Sequence, residues 1–149
     1  MILENRIIKY KKLNDLAKEP TRGSEYAAGY DLYAAIEQDV WIDPHQTIKV
    51  GTGLSFELPP QTFAGLFARS GLATKQGIRP ANCVGICDAD YRGEYILALH
   101  NDSETACFIK PGDRIGQMVL LPFISMDFVE SDGLSDTERG EGGFGSTGK

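Results

Sequence analysis

The sequence predicts an all-β domain, a sandwich, jelly roll or barrel, and three observations carry that prediction. Short runs of β-branched and aromatic residues recur at spacings of about ten residues. Turn signals rich in Gly, Pro, Asp and Asn separate those runs. Helical periodicity is scarce along the 149 residues.

In chain order, Ile7-Ile8-Lys9-Tyr10 is an early strand, and Leu13 to Ala17 is a weak helical candidate behind it. Tyr30 to Ala35 follows, then Val40-Trp41-Ile42, which stops at the turn Asp43-Pro44-His45-Gln46. Ile48 to Val50 leads through Gly51 and Gly53 into Leu54 to Leu58, whose alternation suggests one wet face. Pro59-Pro60 ends that run, because proline lacks the donor a ladder needs. Phe63 to Ala68 continues the pattern, and Ser70 to Gln76 is the best helix, with Ser70 placed as at a capped helix start. Tyr95 to His100, Ala106 to Ile109 and Ile115 to Leu121 complete the strands, with Pro111-Gly112-Asp113 as a turn. Residues 1–130 form the core domain in this scheme. Residues 131–149 are glycine-rich with few large apolar side chains, so they cannot build a core of their own.

Composition narrows the class. A hydrophobic fraction of 42% and a charged fraction of 24% suit an ordinary globular domain. No apolar run approaches the roughly 20 residues needed to cross a bilayer, so no membrane partner is expected. The acid in Met1-Ile-Leu-Glu-Asn-Arg interrupts what would be a signal peptide's apolar stretch, which points to the cytoplasm without excluding a nuclear or organellar location. Three cysteines, Cys83, Cys87 and Cys107, fit a reducing compartment better than a disulfide framework, and with isolated His45 and His100 they fall short of a zinc set. Asn101-Asp102-Ser103 formally spells a glycosylation acceptor, which carries no weight without secretion. A net charge of −6 repels a nucleic-acid backbone, so no polymeric DNA or RNA is expected as partner. A small polyanion could still bind where a few arginines and a cation converge.

Several segments carry chemistry, and each alone has an ordinary explanation. Gly143 to Lys149 fits the first positions of a P-loop, but the strand, the helix and the closing hydroxyl residue are missing. Its glycines would still let backbone N–H groups approach phosphate oxygens, with Arg139, Ser146 and Thr147 as donors; a flexible terminus is the plain alternative. Acids beside glycines at Gly29 to Asp31 and Asp88 to Gly93 are usual turn chemistry. Arg69-Ser70-Gly71 puts an arginine and a hydroxyl at a helix start, where free N–H groups favour an anion.

Together the segments are specific. Ala28-Gly-Tyr-Asp-Leu-Tyr-Ala-Ala35, Arg69-Ser-Gly-Leu-Ala73, Gly85-Ile-Cys-Asp-Ala-Asp-Tyr-Arg-Gly-Glu-Tyr95, Gly112-Asp-Arg-Ile-Gly-Gln117 and Arg139-Gly-Glu-Gly-Gly-Phe-Gly-Ser-Thr-Gly148 follow one another. This set resembles the five sequence motifs of the trimeric dUTP pyrophosphatases (dUTPases), in the family's order and at its spacings. It spans the chain from about Pro20 to Gly148.

The resemblance implies a distorted jelly-roll or β-clip sandwich with one short helix and a mobile C-terminal tail. It implies hydrolysis of dUTP to dUMP and pyrophosphate, by a water attacking the α-phosphorus with Mg²⁺ as cofactor. That reaction keeps uracil out of DNA and supplies dUMP for thymidylate synthesis. The catalytic aspartate falls on Asp88, a base for the water. Gln117 is placed to hydrogen-bond phosphate or that water. Asp31 and Asp90 are supporting residues. Tyr91 lies against the deoxyribose, where its ring occupies the space of a ribose 2′-hydroxyl. The hairpin Asn82 to Ile96, with Gly85 and Ile96 among its contacts, reads uracil mostly through backbone groups, and Asn82 contacts the base or a bound water. Ser70 and Gly71 bind phosphate; Arg69 either joins them or pairs with Asp31. Mg²⁺ sits on phosphate oxygens and waters with no direct protein ligand. In the tail Arg139 reaches the γ-phosphate, Phe144 stacks over uracil, and Gly145, Ser146 and Thr147 wrap the phosphates. Each site is built from three subunits of a homotrimer, with residues 131–149 closing over a neighbour's site. The related dCTP deaminases need a glutamate where this chain carries Ala98. A nucleotide-sensing trimer without catalysis is the rival from another class.

Overall fold

In a computed structural model, residues 6–144 are described, and they form twelve strands and one helix. The strands are β1 (Lys9–Lys12), β2 (Thr21–Arg22), β3 (Tyr30–Tyr33), β4 (Val40–Ile42), β5 (Thr47–Gly51), β6 (Leu54–Glu57) and β7 (Thr62–Phe67). After α1 (Ser70–Gln76) come β8 (Ile78–Pro80), β9 (Gly85–Asp88), β10 (Ile96–Asn101), β11 (Cys107–Ile109) and β12 (Arg114–Pro122). The architecture is the all-β sandwich of distorted jelly-roll type that the sequence predicts.

The main sheet has five strands in the order β2-β3-β12-β7-β9, with antiparallel pairings throughout. A second sheet, β5-β10-β8, and two strand pairs, β1-β6 and β4-β11, cover the core. Strand β10 shows how the sequence dictates the layering. Leu97, Leu99 and Asn101 point inward and are buried, whereas Ile96, Ala98 and His100 between them are not. That is the two-residue period of a strand with one dry face. Leu32, Ile42, Leu54, Ile78, Tyr95, Ile109 and Ile115 join Leu97 and Leu99 at 0–1% exposure. Each such side chain is worth roughly 1.5–3 kcal/mol of burial.

Asn101, fully buried, is a polar anchor in this apolar layer. Its amide nitrogen donates to the carbonyls of Ile42 (3.0 Å) and Thr105 (2.8 Å), and its oxygen accepts from the Ser103 backbone (2.9 Å) and hydroxyl (2.7 Å). All its hydrogen-bonding capacity is spent internally, so the formal glycosylation signal is structural.

Several local expectations are corrected. The first strand is Lys9–Lys12, two residues beyond Ile7, because its register against Leu54–Glu57 is set by β6. Leu13 to Ala17 is a set of turns, pinned by the Leu13 N–H on the Gly53 carbonyl and by the Asn14 side chain on Leu16 N–H. Ser55 does not face water: it is buried and donates to the Arg92 carbonyl at 2.7 Å. Ser70 is the first helical residue and not the cap; Arg69 holds the cap position with extended backbone and no side-chain cap bond. The helix ends where Gly77 takes up left-handed backbone (φ 70°).

Asn82 to Ile96 is not a ladder hairpin. Its first limb, β9, pairs with β7, while β10 pairs with β5 and β8, so the segment bridges two sheets. No helix among the described residues is long and apolar enough to cross a membrane. Residues 123–144 carry no strand or helix and expose Ile124, Met126, Phe128, Val129 and Leu134.

Candidate active site

Two clefts collect seven of the candidate residues. The first, about 240 Å³, is lined by Asn82, Gly85, Asp88, Tyr91 and Ile96, together with Glu94. It forms because β9 is the outermost strand of the main sheet, with Asp88 opposite Phe63. Alternation puts Ile86 and Asp88 on its exposed face. The chain then turns, with the Tyr91 N–H donating to the Asp88 carbonyl at 3.1 Å. Asp90 sits exposed in this turn, and its carboxylate meets no hydrogen-bond partner among the described residues. The same holds for Asp88, whose carboxylate is therefore available to a ligand or water.

Tyr91 has a defined pose. Its ring folds over Gly93, where an added Cβ would collide with it, and its hydroxyl donates to the Glu94 carbonyl at 3.1 Å. Glu94 in turn accepts from the Gly53 N–H at 2.8 Å. On its inner side the Tyr91 ring stacks on Tyr95, with centroids 6.1 Å apart and planes at 27°.

Behind Asp88 the surroundings are apolar. Burial, and then the negative charge of Asp88, push the Cys87 thiol up to about 11, so it stays neutral beside the carboxylate. Burial also raises the Tyr95 phenol. Its hydroxyl is fully buried without a partner in hydrogen-bonding geometry; the Cys87 thiol lies near enough to act on it electrostatically but is not aligned.

The second cleft, about 330 Å³, is lined by Arg69, Gly71, Leu72, Lys75, Phe108 and Arg114 among others. Its polar floor is a network centred on Asp31. Asp31 Oδ1 accepts from Arg69 Nε at 2.8 Å, and Oδ2 accepts from Arg114 Nη1 at 3.2 Å. Gln117 stands directly opposite Asp31 in the ladder, on the same face of the sheet. Its amide donates to the Ala68 carbonyl at 2.9 Å, and its side chain occupies the space a Cβ on Gly29 would take. The first, second and fourth motifs thus meet where β3, β7 and β12 run side by side. Gly71 is open to solvent: an added Cβ would meet nothing within 4 Å. Ser70 is exposed beside it.

The structure joins Arg69 to Asp31, an alternative the sequence leaves open. Among the described residues, none of the tail up to Phe144 lines either cleft. Arg139 donates to the Gly142 carbonyl at 2.8 Å, and Phe144 is fully exposed. Gly145, Ser146 and Thr147 lie outside the described residues. Among the described residues the two clefts share no lining residue. Sequence reasoning missed Arg114, although it sits within the fourth motif, and Lys75, Glu94 and Tyr95. An arginine between an aspartate and a strand signals an ion pair only when the partner strand is known. Among the described residues no three His, Cys, Asp or Glu side chains converge to hold a metal.

A family model described as dUTPase matches residues 15–148. The deoxyuridine 5'-triphosphate nucleotidohydrolase of Desulfitobacterium hafniense (strain DSM 10664 / DCB-2) is 46% identical over 142 residues, covering 95% of this chain and 94% of that protein. Among solved structures, the Staphylococcus bacteriophage 80alpha dUTPase with dUPNHPP is similar at a TM-score of 0.88 and 25% identity, covering 97% of this chain and 100% of that one. A dUTPase from phage phi11 of S. aureus, described with a coordinated structural Mg(II) ion, shares the fold at a TM-score of 0.78 and 19% identity, covering 88% and 100%.

Proposed function

The chain belongs to the dUTPase family, and on that premise we propose how its two clefts divide the hydrolysis of dUTP to dUMP and pyrophosphate. The observation that carries the assignment is the exposed, unpartnered Asp88 carboxylate beside the posed Tyr91 ring in one cleft. Uracil and deoxyribose occupy that cleft. Tyr91 packs on the sugar, and backbone groups between Asn82, Gly85 and Ile96 read the base. Cytosine presents reversed donors and acceptors there, and each buried group left unpaired costs about 1–3 kcal/mol. Asp88 orients a water and accepts its proton as the oxygen attacks the α-phosphorus. The bond from that phosphorus to the α,β-bridging oxygen breaks, and pyrophosphate leaves with the electron pair.

The triphosphate lies along the second cleft, at Ser70, Gly71, Arg69 and Gln117. Asp31 holds Arg69 in place through one oxygen, leaving the guanidinium's terminal nitrogens free to donate to phosphate. Asp90 supports the turn after Asp88. The family uses a divalent metal, and we assign Mg²⁺. Asp88 and Asp90, exposed and without hydrogen-bond partners among the described residues, would contact the waters of such an ion. When bound it would neutralise triphosphate charge.

Among the described residues the two clefts share no residue within one chain, and five large apolar side chains stand exposed from Ile124 to Leu134. Both features support a homotrimer in which one subunit supplies the second cleft, another the first, and a third the tail. In that assembly Arg139, Phe144, Gly145, Ser146 and Thr147 close over a neighbour's substrate and exclude water.

The test is direct. The protein is offered dUTP, dCTP, dTTP and UTP with Mg²⁺, and products are identified. Pyrophosphate and dUMP from dUTP alone are expected, and Asp88→Asn should bind dUTP while losing at least about 10²-fold in turnover. Near-normal hydrolysis by Asp88→Asn would remove Asp88 from the chemistry.

A further inference from the structure

We propose that Tyr95 is a specificity-positioning residue: its buried ring fixes the angle of the Tyr91 ring and thereby sets discrimination between deoxyribose and ribose. The inference rests on the assignment of Tyr91 to the sugar. It adds a residue that touches neither substrate nor solvent.

Tyr91 is 44% exposed, so solvent-side contacts do not lock its ring. Its hydroxyl bond to the Glu94 carbonyl is a single exposed hydrogen bond, which is weak by itself. Gly93 grants space and supplies no wall. A further constraint among the described residues is Tyr95, which stacks on the Tyr91 ring at 6.1 Å and 27°.

Tyr95 is unusually well fixed. Its N–H donates to the Leu54 carbonyl at 2.8 Å, and its carbonyl accepts from the Thr52 N–H at 3.1 Å and the Thr52 hydroxyl at 2.7 Å. Its ring packs against Phe56 at 4.5 Å, and the residue is 0% exposed. A ring clamped to β6 and the core thus forms the rigid backing for an exposed ring at the cleft. Steric exclusion of one hydroxyl group needs such backing, since a sugar-facing ring free to tilt would yield to a 2′-hydroxyl. The buried Tyr95 hydroxyl, unpartnered, has no share in this; the ring does.

The experiment measures kcat/KM for dUTP and UTP in the wild type, Tyr91→Ala, Tyr95→Phe, Tyr95→Met and Tyr95→Leu, with circular dichroism and melting to confirm the fold. Tyr95→Phe keeps the ring and should leave the dUTP-to-UTP ratio within about twofold, because the stacking geometry is retained. Tyr95→Met and Tyr95→Leu remove the flat backing and should lower the ratio by roughly tenfold, since small misplacements of a positioning group carry such effects. The loss should arise mainly from improved use of UTP, a change that general destabilisation does not produce. A folded Tyr95→Met or Tyr95→Leu with an unchanged ratio overturns the proposal, provided Tyr91→Ala collapses it. If Tyr91→Ala leaves the ratio intact, the sugar assignment of Tyr91 falls instead, and this proposal with it.

Discussion

Replacing Asp31 by Asn tests whether one carboxylate organises the phosphate cleft. Asp31 has a side chain 14% exposed and holds two guanidiniums, that of Arg69 at 27% exposure and that of Arg114 at 50%. Asparagine keeps one acceptor and turns the other into a donor facing an arginine. The Arg114 leg can swing into water, so its loss costs about 0.5–1 kcal/mol. The Arg69 leg is better shielded, and trading a charge-assisted bond for a neutral one costs about 1–1.5 kcal/mol. The sum is about 2 kcal/mol, which for a chain of this length lowers the melting temperature by roughly 4–8 °C. The assay is a thermal melt at fixed protein concentration, repeated for Arg114→Gln and for the double variant. Arg114→Gln alone should cost only about 1–4 °C, the share of the exposed leg. The double variant should fall short of additivity by about 0.5–1 kcal/mol, since both changes remove the same contact. Activity should fall with Asp31→Asn as Arg69 loses its anchor. A shift below about 1 °C, or strict additivity, would refute the network as the organiser of this cleft.

Further outcomes follow from other contacts. Mixing Asp88→Asn with Arg139→Ala after confirmed subunit exchange should restore activity through hybrid sites; no recovery would argue for sites built from one chain. Asn101→Asp removes both N–H donors facing the Ile42 and Thr105 carbonyls and should cost about 3 kcal/mol or more, read as a fall of at least roughly 6 °C in melting temperature. A variant melting within 2 °C of wild type would mean that those carbonyls find other partners. Cys87 has its ordinary value of 9.0 raised to about 11 on folding, so the folded chain holds that proton more tightly. The stability this provides is complete below about pH 9 and is lost as pH rises toward 11. Tyr95 titrates in the same sense from a higher starting value. The urea midpoint of Cys87→Ala should therefore decline less steeply between pH 9 and 10 than that of the wild type, and equal slopes would contradict the assignment.

What the sequence determined by itself was the class of the fold, and it named the candidate residues from which the proposed site is built. Period-two runs such as Leu97-Ala98-Leu99, broken by turn residues, specify strands with one buried face because alternation is local to the chain. The helix Ser70–Gln76 was legible in its span but not in its cap, since helix formation depends on near neighbours while Arg69, not Ser70, holds the cap position. Asp31, Arg69, Asp88, Tyr91 and Gln117 were named through the resemblance of the five motifs to the dUTPase family, each segment alone having an ordinary reading.

Tertiary structure decided what depends on partners distant in sequence. Ile78–Pro80 ends in proline and yet forms a strand, because β8 is the outer member of its sheet, where a missing donor is tolerated. Thr21–Arg22 is too short to signal itself and exists through its pairing with β3. Gly85–Asp88 pairs with β7 and not with the strand that follows it, so Asp88 stands on a sheet edge and not in a hairpin. The union of Arg69 and Arg114 on Asp31 required the register of strands far apart in the chain. Local chemistry fixes which residues can act; only the long-range pairing of strands fixes which of them touch.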